Sequence, residues 1–311
     1  MALHISTGPH LRARDDTRRL MLDVLIALVP AVAASIYFFG YRAALIECVS
    51  VACAVLAEFV WQKLMKKPLR ISDLSAAVTG LLLGLNMPAN VPLWVPAIGS
   101  VFAIIIVKQL FGGIGHNFMN PALAARAVLL TSWPSHMTKA YLPLRVIGAS
   151  AAGTGVDTFA TATPLLSPQK PLDLLLGNIP GAVGETCKVA ILLGLLYLLV
   201  RRVIRWEIPL AMVGSAALMS WALGMDPLVS ILSGGLLFGA CFMATDYVTT
   251  PMLPAGHVIF GFGCGVLVVL IRKFGNYPEG VTYAILLMNI VTPLIDRSLK
   301  RKVYGEVKQH V

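Results

Sequence analysis

Charge is what this sequence has little of. Charged residues make up 13% of the 311, against about a quarter in an ordinary soluble domain. Hydrophobic residues make up 57%. A soluble domain this poor in charge would aggregate, so the composition excludes one and indicates a multi-pass membrane protein. Cysteine spacing of the metal-binding or disulfide kind is also missing. Cys48, Cys53, Cys187, Cys241 and Cys264 form no CxxC pair and lie inside apolar runs, where buried free thiols are the simple reading. The six histidines are scattered. No single basic patch accounts for the formal charge of +10. Basic residues instead cluster at the ends of apolar segments: Arg12, Arg14, Arg18 and Arg19; Lys63, Lys66, Lys67 and Arg70; Arg201, Arg202 and Arg205; Arg297, Lys300, Arg301 and Lys302. That distribution signals membrane topology. Lipid is an expected partner and nucleic acid is not. The apolar run from Leu20 to Phe39 continues past Ala31-Val32-Ala33 and is long enough to span, so an uncleaved first helix is expected rather than a signal peptide.

What is there is apolar sequence in blocks. About 20 helical residues cross a hydrocarbon core of about 30 Å. Ten segments qualify, near 20–40, 43–62, 73–87, 93–111, 119–133, 183–201, 207–223, 227–244, 256–273 and 278–296. The third and fifth are short and rich in small or polar residues, which marks them as candidates for interruption or for packing inside the bundle. With a cytoplasmic N-terminus, the positive-inside rule also places 63–70, 201–205 and 297–302 in the cytoplasm. Arg272 and Lys273 then fall on the wrong side. The one long hydrophilic stretch, 134–182, lies outside. The expected division is a first membrane block at 1–133, the external loop at 134–182, and a second block at 183–311, with both termini cytoplasmic.

The two blocks resemble each other. Thr79-Gly80-Leu81-Leu82-Leu83-Gly84 echoes Gly234-Gly235-Leu236-Leu237-Phe238-Gly239. The stretch from Gly99 to Lys108 parallels that from Gly261 to Arg272, and Phe111-Gly112 parallels Phe274-Gly275. Five crossings per block force opposite orientations, which gives two inverted five-helix repeats in an all-α membrane protein. Inverted repeats are common in secondary transporters. A carrier or channel that uses the repeat interface is therefore one reading of the function.

Four stretches carry polar chemistry. In Gly112-Gly113-Ile114-Gly115-His116-Asn117-Phe118-Met119-Asn120-Pro121, the glycines permit tight turns and Asn120 can cap the helix that Pro121 begins. The alternatives are a turn plus cap, or a cradle of amides for a heteroaromatic ligand built from Gly112, Gly113, Asn117 and Asn120. In Phe242-Met243-Ala244-Thr245-Asp246-Tyr247-Val248-Thr249-Thr250-Pro251, Asp246 stands near a membrane-segment end, as an ion-path candidate or a plain interfacial charge. Arg272 to Gly280 forms a polar turn in which Glu279 is a second ion-path candidate, or pairs with Arg272. The fourth stretch, Gly155-Val156-Asp157-Thr158-Phe159-Ala160-Thr161-Ala162-Thr163-Pro164-Leu165, sits in the external loop. A threonine hydroxyl is a poor nucleophile unless activated, and no histidine is close in sequence. An acceptor modified by a separate enzyme needs only an accessible hydroxyl in a local pattern.

Taken in order, FGGIGHNFMNPALAARAVLL, DTFATATPL, FMATDYVTTP and RKFGNYPEGVTYAILLMN resemble the family that holds the D subunit of the Rnf electron-transport complex and the B subunit of the sodium-translocating NADH:quinone reductase. The resemblance runs over nearly the whole chain, and the short N-terminal stretch favours the Rnf branch. It implies FMN joined through its phosphate to Thr163, the last residue of an Asp-x-x-Ser-Gly-Ala-Thr-like motif. Asp157 and Ala162 match that motif, while Ala160-Thr161 replaces the usual Ser-Gly. It also implies a flavin transferase for maturation, the other membrane and peripheral subunits of an Rnf-type complex as partners, and the bacterial inner membrane as location. Function follows as an expectation: a flavoprotein subunit of an ion-translocating ferredoxin:NAD+ oxidoreductase, part of a translocase but without complete activity alone. The reductase relative also carries a non-covalent riboflavin, and the GHNFMNPA turn is where a second flavin is expected here.

Overall fold

The computed structural model describes residues 16–138, 140–141, 143, 160–161, 171–177, 179–275 and 280–299. Each of the ten apolar segments holds helix. The first two are α1 (Thr17–Phe39) and α2 (Tyr41–Leu64). Asp16 starts α1 by accepting from the Thr17 N–H at 2.8 Å, and Gly40, at φ +71°, turns the chain directly into α2. After them come α3 (Ser75–Leu85) and α4 (Trp94–Phe102), which continues as a π-helical turn over Ala103–Gln109. Next is α5 (Pro121–Ser132), followed by the short α6 (Pro134–Met137).

Within 134–182 the two-residue strands Ala140–Tyr141 and Ala160–Thr161 pair antiparallel, with Ala140 opposite Thr161. A short helix, α7 (Pro171–Leu176), follows. The chain then returns to the bundle: Ala182 bridges to Pro88, and the N–H groups of Val183 and Gly184 donate to Met87 and Leu85 at 3.0 and 2.7 Å. The exit of the long loop is thus stitched to the end of α3.

The second block contains α8 (Lys188–Val200), α9 (Glu207–Ala222), α10 (Pro227–Leu232), the single turn α11 (Leu236–Phe238) leading into a π-helical turn over Gly239–Met243, α12 (Pro254–Phe274) and α13 (Val281–Ser298). In packing, α2 lies on α3 and α4, α9 on α12, α1 on α8, and α5 on α13.

Of the two outcomes open to the third and fifth segments, packing inside the bundle is the one found, with most of their residues buried. The third and fifth segments are short but unbroken helices, and the eighth is the broken one. At its break Ser233 is extended and Gly234 has φ +60°, which ends the hydrogen-bond ladder. The glycines of α3 serve packing instead. A Cβ on Gly80 would lie 2.7 Å from the Ser50 carbonyl oxygen, and such close backbone approach is how membrane helices gain contact where lipid is as apolar as leucine.

Among the described residues three helices, α1, α2 and α12, are long and apolar enough to cross a membrane on their own. Burial supports the same solvent. Leu56, Leu193, Leu218 and Leu294 face outward, while Glu58, Lys108, Arg126, Glu185 and Lys188 are buried. That inverts the pattern of a water-soluble domain and matches a bundle whose polar groups pair inside. The chain is an all-α membrane protein. Arg272 and Lys273, the pair that offends the charge rule, are engaged at helix ends. Arg272 donates to the Ser230 and Ser233 carbonyls at 2.5 and 3.0 Å, and Lys273 donates to that of Leu223. They complete the C-termini of α10 and α9.

Candidate functional site

The glycine-rich stretch lies between the first π-helical turn and α5. Gly112 and Gly113 have φ of +119° and +94°, values that glycine adopts at no steric cost. Beyond them the chain carries Asn117 and Asn120 into the bundle, where both are buried. Asn120 caps α5: its Oδ1 accepts from the N–H groups of Ala122 and Leu123 at 3.0 and 3.3 Å. Its Nδ2 donates across the bundle to the Met243 carbonyl at 3.2 Å. Asn117 Nδ2 donates to the Met119 carbonyl at 3.2 Å.

Both asparagines line a pocket of about 790 Å3 together with Thr79, Lys108, Thr245 and Asp246. Its remaining walls include Met21, Val24, Val78, Leu82, Leu198 and Phe242. Asp246, half-buried, accepts from the Val248 N–H and the Thr249 hydroxyl, each at 3.4 Å. The ion-path candidate and the two amide candidates therefore share one cavity. Gly112 and Gly113 do not join them. They line a neighbouring pocket of about 540 Å3 with Glu58, Gln62, Asp73 and Gln109. Their N–H groups bond to the carbonyls of Gln109 and Lys108 at 3.2 and 3.0 Å, which winds them back onto the preceding helix, away from the asparagines. The single cradle expected from the sequence is two cavities, joined at Ile114, which lines both.

A buried polar chain runs between these cavities. Lys108 Nζ donates to both Glu58 oxygens at 3.0 Å and to Ser75 Oγ at 2.6 Å. Ser75 Oγ in turn lies 2.6 Å from Asp73 Oδ1. Gln109 and Gln62 donate to Glu58 Oε1 at 2.6 and 3.2 Å. Glu58 and Asp73 open to one cavity, Lys108 and Ser75 to the other.

A second network lies across the broken segment. Arg126 Nη1 pairs with Glu185 Oε1 at 2.8 Å and also donates to Asn86. Asn86 Nδ2 reaches the Leu82 carbonyl at 2.7 Å and Met243 Sδ at 3.6 Å. Lys188 donates to the carbonyls of Glu185 and of Gly234, the latter at 3.0 Å. Met243 joins this network to the pocket: its sulfur meets Asn86 and its carbonyl accepts from Asn120. Gly235 leaves room for the acid, since a Cβ there would stand 2.5 Å from Glu185 Oε1.

Asp23, Glu47, Glu58, Arg126, Glu185 and Lys188 are not among the candidates that the sequence motifs supply, and Lys108 enters there only as the end of a helix. Asp23 accepts from the Tyr197 hydroxyl at 2.9 Å and pairs with Arg201 at 3.2 Å, and Glu47 lies 2.5 Å from the Ser35 hydroxyl. A signal for all of them exists. An ionisable residue inside an apolar span is a functional candidate by default, and Asp23, Glu47, Glu58, Lys108, Arg126, Glu185 and Lys188 all lie within the ten apolar segments. Asp157, Ala162, Thr163 and Glu279 lie outside the described residues. Among the described residues no group of three or more His, Cys, Asp or Glu is arranged to hold a metal ion.

Comparison with known proteins places this geometry in context. The profile of the NQR2, RnfD, RnfE family matches residues 4–305. The chain is 46% identical to the D subunit of the Na(+)-translocating ferredoxin:NAD(+) oxidoreductase complex of Acetobacterium woodii, over 98% of this chain and 96% of that one. It is 40% identical to the proton-translocating counterpart of Clostridium ljungdahlii, over 97% and 96%. It is 36% identical to the D subunit of the ion-translocating oxidoreductase complex of Yersinia pseudotuberculosis, over 99% and 100%.

Proposed function

For a chain that belongs to the NQR2, RnfD, RnfE family, we propose the role of integral-membrane flavoprotein subunit in an Rnf-type, ion-translocating ferredoxin:NAD+ oxidoreductase. Near-full-length identity to relatives named as the D subunits of such complexes carries this reading. The Asp157-Ala162-Thr163 pattern supports covalent FMN at Thr163, attached by a flavin transferase. With that loop outside the inner membrane, a hydrocarbon core of about 30 Å separates this flavin from cytoplasmic donors. Further carriers are needed in the complex, and the Asn117–Asn120 pocket is the place proposed for one.

The residues present there suit a non-covalent flavin such as riboflavin. The ring has an apolar end and a polar end, and it calls for apolar walls with a few convergent polar groups. Met21, Val24, Leu82 and Phe242 supply the walls; Asn117, Thr79 and Thr245 supply the polar groups, the three Lys108 donors being taken by Glu58 and Ser75. Because Oδ1 of Asn120 is committed to the cap, its part is limited to its second N–H and to holding α5 against Met243. Bound there, a flavin supplies redox chemistry of its own. The protein's contribution is to exclude water and to set Lys108 and Asp246 beside it.

Acid extraction of the purified complex is expected to release this flavin. Asn117→Ala should weaken occupancy roughly tenfold, since a lost hydrogen bond to a buried ring costs about 1–3 kcal/mol. Asn120→Asp keeps the cap but loses the donor to Met243, and is expected to lower flavin content less than Asn117→Ala does. No release from the wild type, or full retention in both variants, would remove the second flavin from this pocket.

Pairing of α1 with α8 and of α5 with α13 supports the inverted repeat, because counterpart helices meet each other. The duplication is not strict in detail: the π-helical turns fall in the fourth and eighth segments, which are not counterparts. A solute carrier would use the same scaffold, but it would be colourless when purified. For the orientation, a membrane-impermeant thiol reagent should label a cysteine introduced at Ser167 in intact cells and miss one at Ser298. The reverse pattern would place the flavin loop in the cytoplasm.

A further inference from the structure

A third cavity, of about 830 Å3, opens beside the loop between α8 and α9. Arg202 and Arg205 line it from that loop, Tyr247 and Thr250 from the stretch before α12, and His257 from the first turn of α12. No acidic residue is among the described residues that line it. Asp246 accepts from Val248 and Thr249, and Asp296 from the Met252 N–H at 3.0 Å; Glu207, which lies between Arg205 and Ile208 in sequence, does not line the cavity. His257 is only 9% exposed, and its Nδ1 makes no hydrogen bond among the described residues. A buried polar atom without a partner calls for one. Two exposed guanidinium groups with hydroxyls and a buried imidazole nitrogen suit a phosphoryl group, which accepts from arginine in paired hydrogen bonds.

The surroundings are apolar. Val203, Ile204 and Ile208 line the cavity, and Met252, which also lines it, is 88% exposed. Trp206 and Leu210, in the same stretch as Arg205 and Ile208, are exposed as well. A soluble phosphate ester has no use for such a collar, whereas an acyl chain does. We propose that this cavity binds the phosphoryl headgroup of an anionic phospholipid, with Arg202, Arg205 and His257 as its ligands. Basic pockets at the ends of membrane helices hold acidic headgroups in this way.

The test is a native mass-spectrometric titration of the full-length chain in neutral detergent, with phosphatidylglycerol, phosphatidylcholine and inorganic phosphate as separate probes. Wild type is expected to retain phosphatidylglycerol in preference to phosphatidylcholine. Arg202→Gln/Arg205→Gln should weaken the phosphatidylglycerol adduct roughly thirty-fold, the factor that two basic side chains near a membrane surface supply, and leave phosphatidylcholine unchanged. His257→Leu should weaken it several-fold. Both arginines are exposed, so the double variant is expected to unfold at the wild-type temperature when lipid-free. Equal retention of both lipids, or phosphatidylglycerol binding unaffected by the double variant, would overturn the site. Displacement of phosphatidylglycerol by millimolar inorganic phosphate would overturn the lipid as its occupant in favour of a soluble phosphate.

Discussion

A denaturing gel of the purified chain, viewed under ultraviolet light, is expected to show a bright band for wild type and a dark one for Thr163→Ala. The proposed ester between the FMN phosphate and the Thr163 hydroxyl survives denaturation, while every non-covalent flavin is lost. Thr161→Ala should stay bright, because Thr161 occupies a motif position where the family has another residue. Expression without a flavin transferase should also give a dark band, since this threonine has no histidine near it in sequence to activate it. A bright Thr163→Ala band would refute the assignment. A dark Thr161→Ala band would extend the acceptor requirement to the residue that pairs with Ala140.

The second large effect is on stability. Arg126→Ala leaves Glu185 and Asn86 buried without their partner, and an uncompensated buried charge costs about 3–5 kcal/mol. Thermal unfolding of the full-length chain in detergent should show that loss, with the exposed Arg18→Ala as control. Replacing the pair together, Arg126→Met with Glu185→Leu, is expected to restore most of the stability, because a buried ion pair often does no better than apolar side chains of similar volume. If Arg126→Ala unfolds with the control, the pair does not hold the broken segment in place. If the double replacement is as unstable as the single one, Arg126 acts through Asn86 rather than through Glu185.

Helix positions are legible in this sequence because lipid demands long apolar runs and punishes anything else. The cap at Asn120 is legible for a local reason: Asn-Pro ahead of an alanine-rich run offers an acceptor and a preset first turn. Pairings are not legible. Glu58 and Lys108 stand 50 residues apart in sequence, as Arg126 and Glu185 stand 59 apart, and no local pattern names the partner. The division of the glycine and asparagine cradle is also hidden, since it turns on which carbonyls the Gly112 and Gly113 N–H groups reach. For Thr163 the motif alone speaks.

The π-helical turn at Ala103–Gln109 has a consequence for register. There the Leu110 N–H bonds to the Ile105 carbonyl, five residues back rather than four. Such a turn accommodates one residue more than an α-helix would over the same length. One residue is about 100° of rotation. An otherwise regular helix of the same sequence would therefore point Lys108 and Gln109 away from Glu58. The acid would then be stranded in the bundle, and the polar chain between the two cavities would be cut at its middle link. Wound as it is, the turn indexes these two side chains to Glu58, much as a keyway indexes a shaft.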